Sequence, residues 1–349
     1  MKKSINFLIA TLIVFSFESM SQYAAVASGQ KVPVTNRSFN GAFSAKNFHS
    51  ALVDENNTKW FLTESGIVSF DGKKWKAYDK NKNIPSQNLK SFSAKGQNVL
   101  IATPNGVTVT TLPIKPKTPA TTINTKNGSL LSDNVVSVAT GKNDIQWFGT
   151  DKGISACINN KWLEVGYEDM YPGFMFEEFK ITSMATNRTG DSLYVATEGA
   201  GIARIYKNEV DGISGASVYA QWGPIILPSD KVYSVLIAPD GTKWFGTELG
   251  VARHTGNNTL ENWTVFSTAD GLVNDFVQAI GIDKKGTLWF GTKGGLSAFD
   301  GTKWTSYTIK DGLNSNNILC VVVDKNDVVW LGTDNGAMSF SNGAFVSYK

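Results

Sequence analysis

Trp147-Phe148-Gly149-Thr150 returns as Trp244-Phe245-Gly246-Thr247, Trp289-Phe290-Gly291-Thr292 and Trp330-Leu331-Gly332-Thr333, and this repetition decides the fold. Looser copies stand at Trp60-Phe61-Leu62-Thr63, Leu100-Ile101-Ala102-Thr103 and Tyr194-Val195-Ala196-Thr197. The seven copies are spaced by 40, 47, 47, 50, 45 and 41 residues, the size of a four-stranded blade.

Each copy carries the same punctuation. Ahead of the motif runs an alternating apolar stretch such as Val277-Gln278-Ala279-Ile280-Gly281-Ile282, then a polar turn such as Asp240-Gly241 or Lys285-Gly286. That reads as strand a, a hairpin and strand b. A glycine follows the motif threonine three residues on (Gly66, Gly106, Gly153, Gly250, Gly295, Gly336), or four on at Gly201, where a tight b–c turn needs positive φ. Strand c, a turn such as Asp71-Gly72 or Asp300-Gly301, and a strand d opened by Trp75 or Trp304 complete the unit. Short hairpin-linked strands repeated in this way, without helical periodicity between them, predict an all-β chain, a seven-bladed β-propeller of four-stranded antiparallel blades. A pair of β-sandwiches is the competing layout, but the register runs unbroken from Phe48 to Tyr348 and offers no linker at which to divide it.

The ten tryptophans all belong to the register, five opening strand b and five on strand d, which makes them packing between blades rather than binding platforms. The motif glycine is expected to be packing as well. Valine at Gly149, Gly246 or Gly291 should overpack the neighbouring blade.

Trp-Phe-Gly-Thr-x-x-Gly-[Ile/Leu/Val], with Gly271-Leu272-Val273-Asn274 and Gly312-Leu313-Asn314-Ser315-Asn316 ahead of the next strand a, resembles the two-component regulator propeller repeat. The resemblance runs through all seven units. It implies a bacterial sensor region, in many members the periplasmic part of a hybrid histidine kinase that recognises glycans or their breakdown products. The chain ends at Lys349, directly after the last strand d, so the expected protein is a propeller lacking any kinase or output domain. A WD-type propeller lacks support, since Gly-His begins no unit and Trp-Asp ends none. Seven-bladed lyases that open cyclic peptide antibiotics use a histidine-containing site. Here only His49 and His254 exist, in blades one and five, and surface or core roles are expected for both.

Lys2 and Lys3, an uncharged run from Ile5 to Phe17 and the small residues Ala25-Val26-Ala27 form the three regions of a secretory signal. Residues 1–27 are therefore expected to be a signal peptide, 28–47 an N-terminal lead-in and 48–349 the propeller. No later stretch approaches the ~18 apolar residues of a transmembrane span. Export to the periplasm or the extracellular space follows. The mature protein should begin between Gln22 and Ser28, which mass spectrometry of the exported product would establish; an intact Met1 on a membrane-bound product would overturn it.

The composition limits the chemistry. A 42% hydrophobic and 18% charged chain of 349 residues can build a large core, and 33 basic against 30 acidic residues leave a net charge of +3, too small and dispersed for nucleic acid. Two histidines and two unclustered cysteines cannot assemble a conventional metal site, so neither a metal nor another cofactor is expected. Cys157 and Cys320 fall in blades three and seven and are expected to be free and buried.

In this strand order the b–c turns and d–a connections share one face, where loops surround the mouth of the central channel. The residue after each motif threonine is Glu64, Pro104, Asp151, Glu198, Glu248, Lys293 or Asp334. The carboxylates Glu64, Asp151, Glu198, Glu248 and Asp334 could ring a cation or an amine-bearing ligand, or could simply suit exposed turns. The long d–a connection between Trp162 and Ile181 adds Tyr167, Tyr171 and Phe174, which either fold over a blade or meet a partner. No catalytic residue is singled out. The expected function is non-enzymatic recognition of a glycan, peptide or protein, the alternative being a carboxylate-dependent hydrolase or lyase acting on a glycan or peptide.

Overall fold

The computed structural model describes residues 32–39, 45–78, 88–114, 119–141, 144–166, 180–190, 192–208, 212–219, 227–256 and 261–349. Seven antiparallel sheets follow one another along the chain, each ordered a–b–c–d in space as in sequence. The first runs through Phe48–Val53, Lys59–Thr63, Gly66–Phe70 and Trp75–Tyr78, and the last through Ile318–Val323, Val329–Thr333, Gly336–Ser341 and Ala344–Tyr348. Every strand a touches the strand a of the next blade, and the seventh touches the first, so the sheets form a closed ring around a channel. Helical structure among the described residues is limited to single 3-10 turns such as Thr268–Asp270 and Ile309–Asp311 in the d–a connections.

The motif is a device for stacking blades. Alternation along strand b sends its tryptophan toward the following blade and its next residue toward the preceding one. Trp289 thus packs with Val321 and Phe340 of blade seven, while Phe290 packs with Trp244 and Phe299 beside blade five. The strand d tryptophan lies over the same phenylalanine, as in Phe148–Trp162 at 5.5 Å and Phe245–Trp263 at 5.8 Å. The motif threonine is buried in all seven blades, where its hydroxyl donates to the carbonyl of the turn glycine. Those glycines have positive φ, for example +126° at Gly66 and +144° at Gly295.

One recurrence is invisible in the motif itself. An aspartate six residues before the strand b tryptophan accepts its indole N–H, at 2.9 Å for Asp54–Trp60, 3.3 Å for Asp283–Trp289 and 3.1 Å for Asp324–Trp330. The same carboxylate gathers the backbone N–H groups of the a–b turn. Blade three has Gly141 at that place, and the buried indole N–H of Trp147 has no acceptor among the described residues.

The ring closes through the start of the chain. Val34–Arg37 adds a fifth strand to blade seven, parallel to the outermost strand Ala344–Tyr348. Val32 anchors it among Tyr307, Leu313 and Phe345. The chain then crosses to blade one, where Phe39 meets Phe48 and Trp75, with ring centroids 5.8 and 5.0 Å apart. Part of the expected lead-in is thus a structural strap. At the same seam Lys59 Nζ of blade one meets Asp324 Oδ2 of blade seven at 3.1 Å, both side chains almost fully buried.

Candidate functional site

In six blades the pairing of strands a and b slips by one residue near the start of strand a, for example between Phe48 and Ser50 and between Val232 and Ser234. A bulge of this kind leaves one residue outside the ladder and re-aims its side chain. The residues freed are His49, Val136, Thr182, Tyr233, Gln278 and Leu319, and all six line the mouth of the channel. Lys90 takes the corresponding place in blade two, its N–H bonded to Ala102. With Asn134, Asp151, Lys180, Ile181 and Glu198 they enclose a cavity of about 790 Å³ on the face of the b–c turns and d–a connections. A narrower space of about 430 Å³ continues below it between the inner strands, past Ser50, Ser91, Ser137, Ser183 and Ser234.

Several of the ring side chains reach across to the neighbouring blade. His49 Nε2 contacts the Leu89 carbonyl at 3.0 Å, the Thr182 hydroxyl donates to the Val232 carbonyl, and the Gln278 amide donates to the Ile318 carbonyl at 3.0 Å and to Asn317 at 2.8 Å. Burial lowers the pKa of His49, and Lys90 adds to the effect against the opposing pull of the Leu89 and Asn47 backbone and Glu64. The Leu89 carbonyl can accept from Nε2 when that nitrogen carries a proton. Tyr233 stacks on Phe276 at 4.6 Å, and Lys293 Nζ lies 3.5 Å from the centroid of that Phe276 ring. Burial raises the Tyr233 phenol, and Glu198 and Glu248 raise it further.

The family model described as two-component regulator propeller matches residues 271–294 and 312–335. Two segments of this chain thus match the two-component regulator propeller repeat. None of the curated proteins matches the sequence. Among solved structures it resembles an extracellular domain assigned to the hybrid two-component system BT3049 of B. thetaiotaomicron, with a TM-score of 0.69 at 20% identity over 86% of this chain and 39% of that one. This chain therefore spans well under half of that domain. PorZ, a surface component of the type-IX secretion system of Porphyromonas gingivalis, aligns with a TM-score of 0.66 at 16% identity, over 84% of this chain and 46% of PorZ. A streptogramin B lyase aligns with a TM-score of 0.64 at 14% identity, over 86% and 94% of the two chains.

In this propeller the acidic turn residues are tied to the segment that leads into the inner strand of their own blade. Glu64 accepts the backbone N–H groups of Lys46 and Asn47, both at 2.9 Å. Asp151 accepts from Asn134 and Asp334 from Asn317, each at 3.0 Å. Glu198 pairs with Lys180 at 3.4 Å, and Glu248 with Lys231 at 3.2 Å and with the Ser229 hydroxyl at 3.1 Å. Only Asp151 and Glu198 of the five line the cavity. Tyr167, Tyr171 and Phe174 lie outside the described residues. His254 is buried and stacked on Trp263 at 4.5 Å, whereas His49, expected at the surface or in the core, stands in the cavity wall. Cys320 is buried, and that burial pushes its thiol up to about 12; Cys157 is only partly buried.

The ring had a signal in the repeat. In six blades the first residue of the inner strand is apolar and buried, as at Phe48, Val135 and Val232, and buried Leu89 holds the matching place in blade two, yet the next position holds a different side chain in every blade. A position that varies inside a constant repeat is not fixed by the shared packing between blades.

Among the described residues no helix is long and apolar enough to cross a membrane.

Proposed function

We propose that this chain is an exported recognition module that holds a glycan, peptide or protein segment at the mouth of its channel without transforming it. The observation that carries this reading is the cavity of about 790 Å³ lined by a different side chain from each of seven blades. Its size suits a small ligand, Tyr233 offers an aromatic face, Val136, Ile181 and Leu319 offer aliphatic ones, and the polar side chains around them could orient what binds. Export is supported by the signal-like start, and both candidate cleavage points leave Val32 and the strap strand intact.

Against the hydrolase or lyase reading, the two carboxylates that line the cavity among the described residues already hold Asn134 and Lys180, and His49 sets Nε2 against a backbone carbonyl. Acid–base work would need these groups released.

The test is Tyr233→Ala, screened with the wild type on glycan and peptide arrays and measured by calorimetry on any hit. Loss of the aromatic face is expected to weaken binding about ten-fold or more while the melting temperature changes little. Undiminished binding of a confirmed ligand would move the site away from the channel mouth, and turnover of the ligand would replace recognition by catalysis.

A further inference from the structure

The polar groups around the cavity are unevenly committed. Asp151 accepts from Asn134, Glu198 is engaged by Lys180, Gln278 spends its amide on Asn317 and Ile318, and His49 faces Leu89. Lys90 differs from all of them. It lines the cavity, its side chain is exposed, and no carboxylate of the described residues lies within 4.0 Å of its ammonium. Its charge is felt inside the site, since it is among the groups that hold the His49 pKa down. Tyr233 stands three blades further round the ring of seven and so faces Lys90 nearly across the mouth.

A cation with no counter-ion among the described residues, at the rim of a partly desolvated cavity, attracts an anion, and the attraction strengthens as a ligand excludes water. A single uncommitted ammonium among the described lining residues, with no arginine beside it, suits a monoanion better than a phosphate, which favours several or bidentate donors. We propose that the channel mouth takes a small ligand whose carboxylate sits on the Lys90 ammonium and whose body reaches across to the Tyr233 ring. This proposal rests on the recognition reading above and specifies the chemistry of what is recognised.

Two matched pairs of probes test it by calorimetry on the mature chain. One pair is a glucuronate-terminated and a glucose-terminated oligosaccharide; the other is a short peptide with a free C-terminal carboxylate and the same peptide as its amide. The charged member of one pair should bind about ten-fold tighter than its neutral partner, the fold-change of a charge-assisted hydrogen bond. The pair that shows the preference identifies the source of the carboxylate. Lys90→Gln should erase the preference, Lys90→Arg should keep most of it, and added salt should reduce it. Equal binding of charged and neutral probes, lost in Tyr233→Ala, would overturn the carboxylate proposal and leave recognition at the mouth standing. A preference that survives Lys90→Gln would overturn the role of Lys90. Failure of all four probes to bind the wild type would overturn the proposal and, together with empty arrays, the recognition reading beneath it.

Discussion

Alanine at Gly332 is expected to destabilise the propeller more than alanine at any other motif glycine. The strand b glycine faces the next blade, so its missing side chain sets how closely the neighbouring inner strand can approach. At Gly149 a methyl group would meet the Met184 sulfur at 3.1 Å and the Ile181 side chain at 3.2 Å, atoms that can yield by a small side-chain shift. At Gly246 it would press on the Ser234 hydroxyl and on Val277 Cγ1 at 2.7 Å, and at Gly291 on Ile318 Cγ2 at 2.7 Å, where the β-branched valine and isoleucine are stiff. At Gly332 it would be driven into the backbone carbonyl of Phe48 and the sulfur of Cys320. Backbone cannot rotate away, and Phe48 is the first residue of blade one, so relief requires opening the seam where the ring closes. Overpacking of this kind costs about 1–3 kcal/mol and occasionally more, with Gly332 at the top of that range and Gly149 at or below its bottom. Thermal melts of the four alanine variants check the order. Equal losses at Gly149 and Gly332 would show that the seam between blades seven and one is no tighter than the others.

Asp324→Asn should cost about 3 kcal/mol, within the range for breaking a buried ion pair from one side. The change leaves the Lys59 ammonium buried with the Asn57 carbonyl at 2.9 Å as its remaining hydrogen-bond partner, and it turns an acceptor of the Trp330 indole and Lys59 into an amide that can offer them a donor. Lys59→Met should cost less, because Asp324 would keep the N–H groups of Asn326, Val328 and Trp330. The double variant should recover part of the loss, the mark of a direct interaction. The pH dependence has a definite sign. Burial alone would raise the Asp324 pKa, but the donations from Asn326, Trp330, Val328 and Lys59 outweigh it and hold the carboxyl below its ordinary value. A depressed carboxylate stabilises the fold above its unfolded pKa of about 3.9 and loses that contribution as pH falls through the folded value. The difference in melting temperature between wild type and Asp324→Asn should therefore be constant near neutrality and shrink below about pH 4. A difference that persists unchanged into acid would show that the carboxylate charge contributes nothing.

The fold was open to reading because its signals are local. A Trp-Phe-Gly-Thr strand, a turn glycine three residues on and a second aromatic on strand d lie within one hairpin-linked unit, and each hydrogen-bonds or packs inside that unit or against its sequential neighbour. Repetition of the unit specifies the seven blades and their order without any long-range information. The acidic turn residues were legible as positions, but their partners were not. Asn134 lies 17 residues before Asp151 and Lys180 lies 18 before Glu198, and each pair meets where the two ends of its a–b hairpin come together, with a residue type that the repeat does not prescribe.

Three features required the closed ring. The pairing of Val34–Arg37 with the last strand joins the two ends of the described chain, and nothing in four exposed residues names that partner. The Lys59–Asp324 contact spans 265 residues for the same reason. The ring of His49, Lys90, Val136, Thr182, Tyr233, Gln278 and Leu319 depends on a bulge, and alternation cannot place it, because a one-residue slip in a strand of period two exchanges the buried and open faces. Sequence alone thus determined the repeating unit, its strand order and the face on which loops converge, since those follow from neighbours along the chain. Which side chains meet at the channel mouth, and how the circle is fastened, were decided only by tertiary structure, because both depend on residues that are distant in sequence until the seventh blade reaches the first.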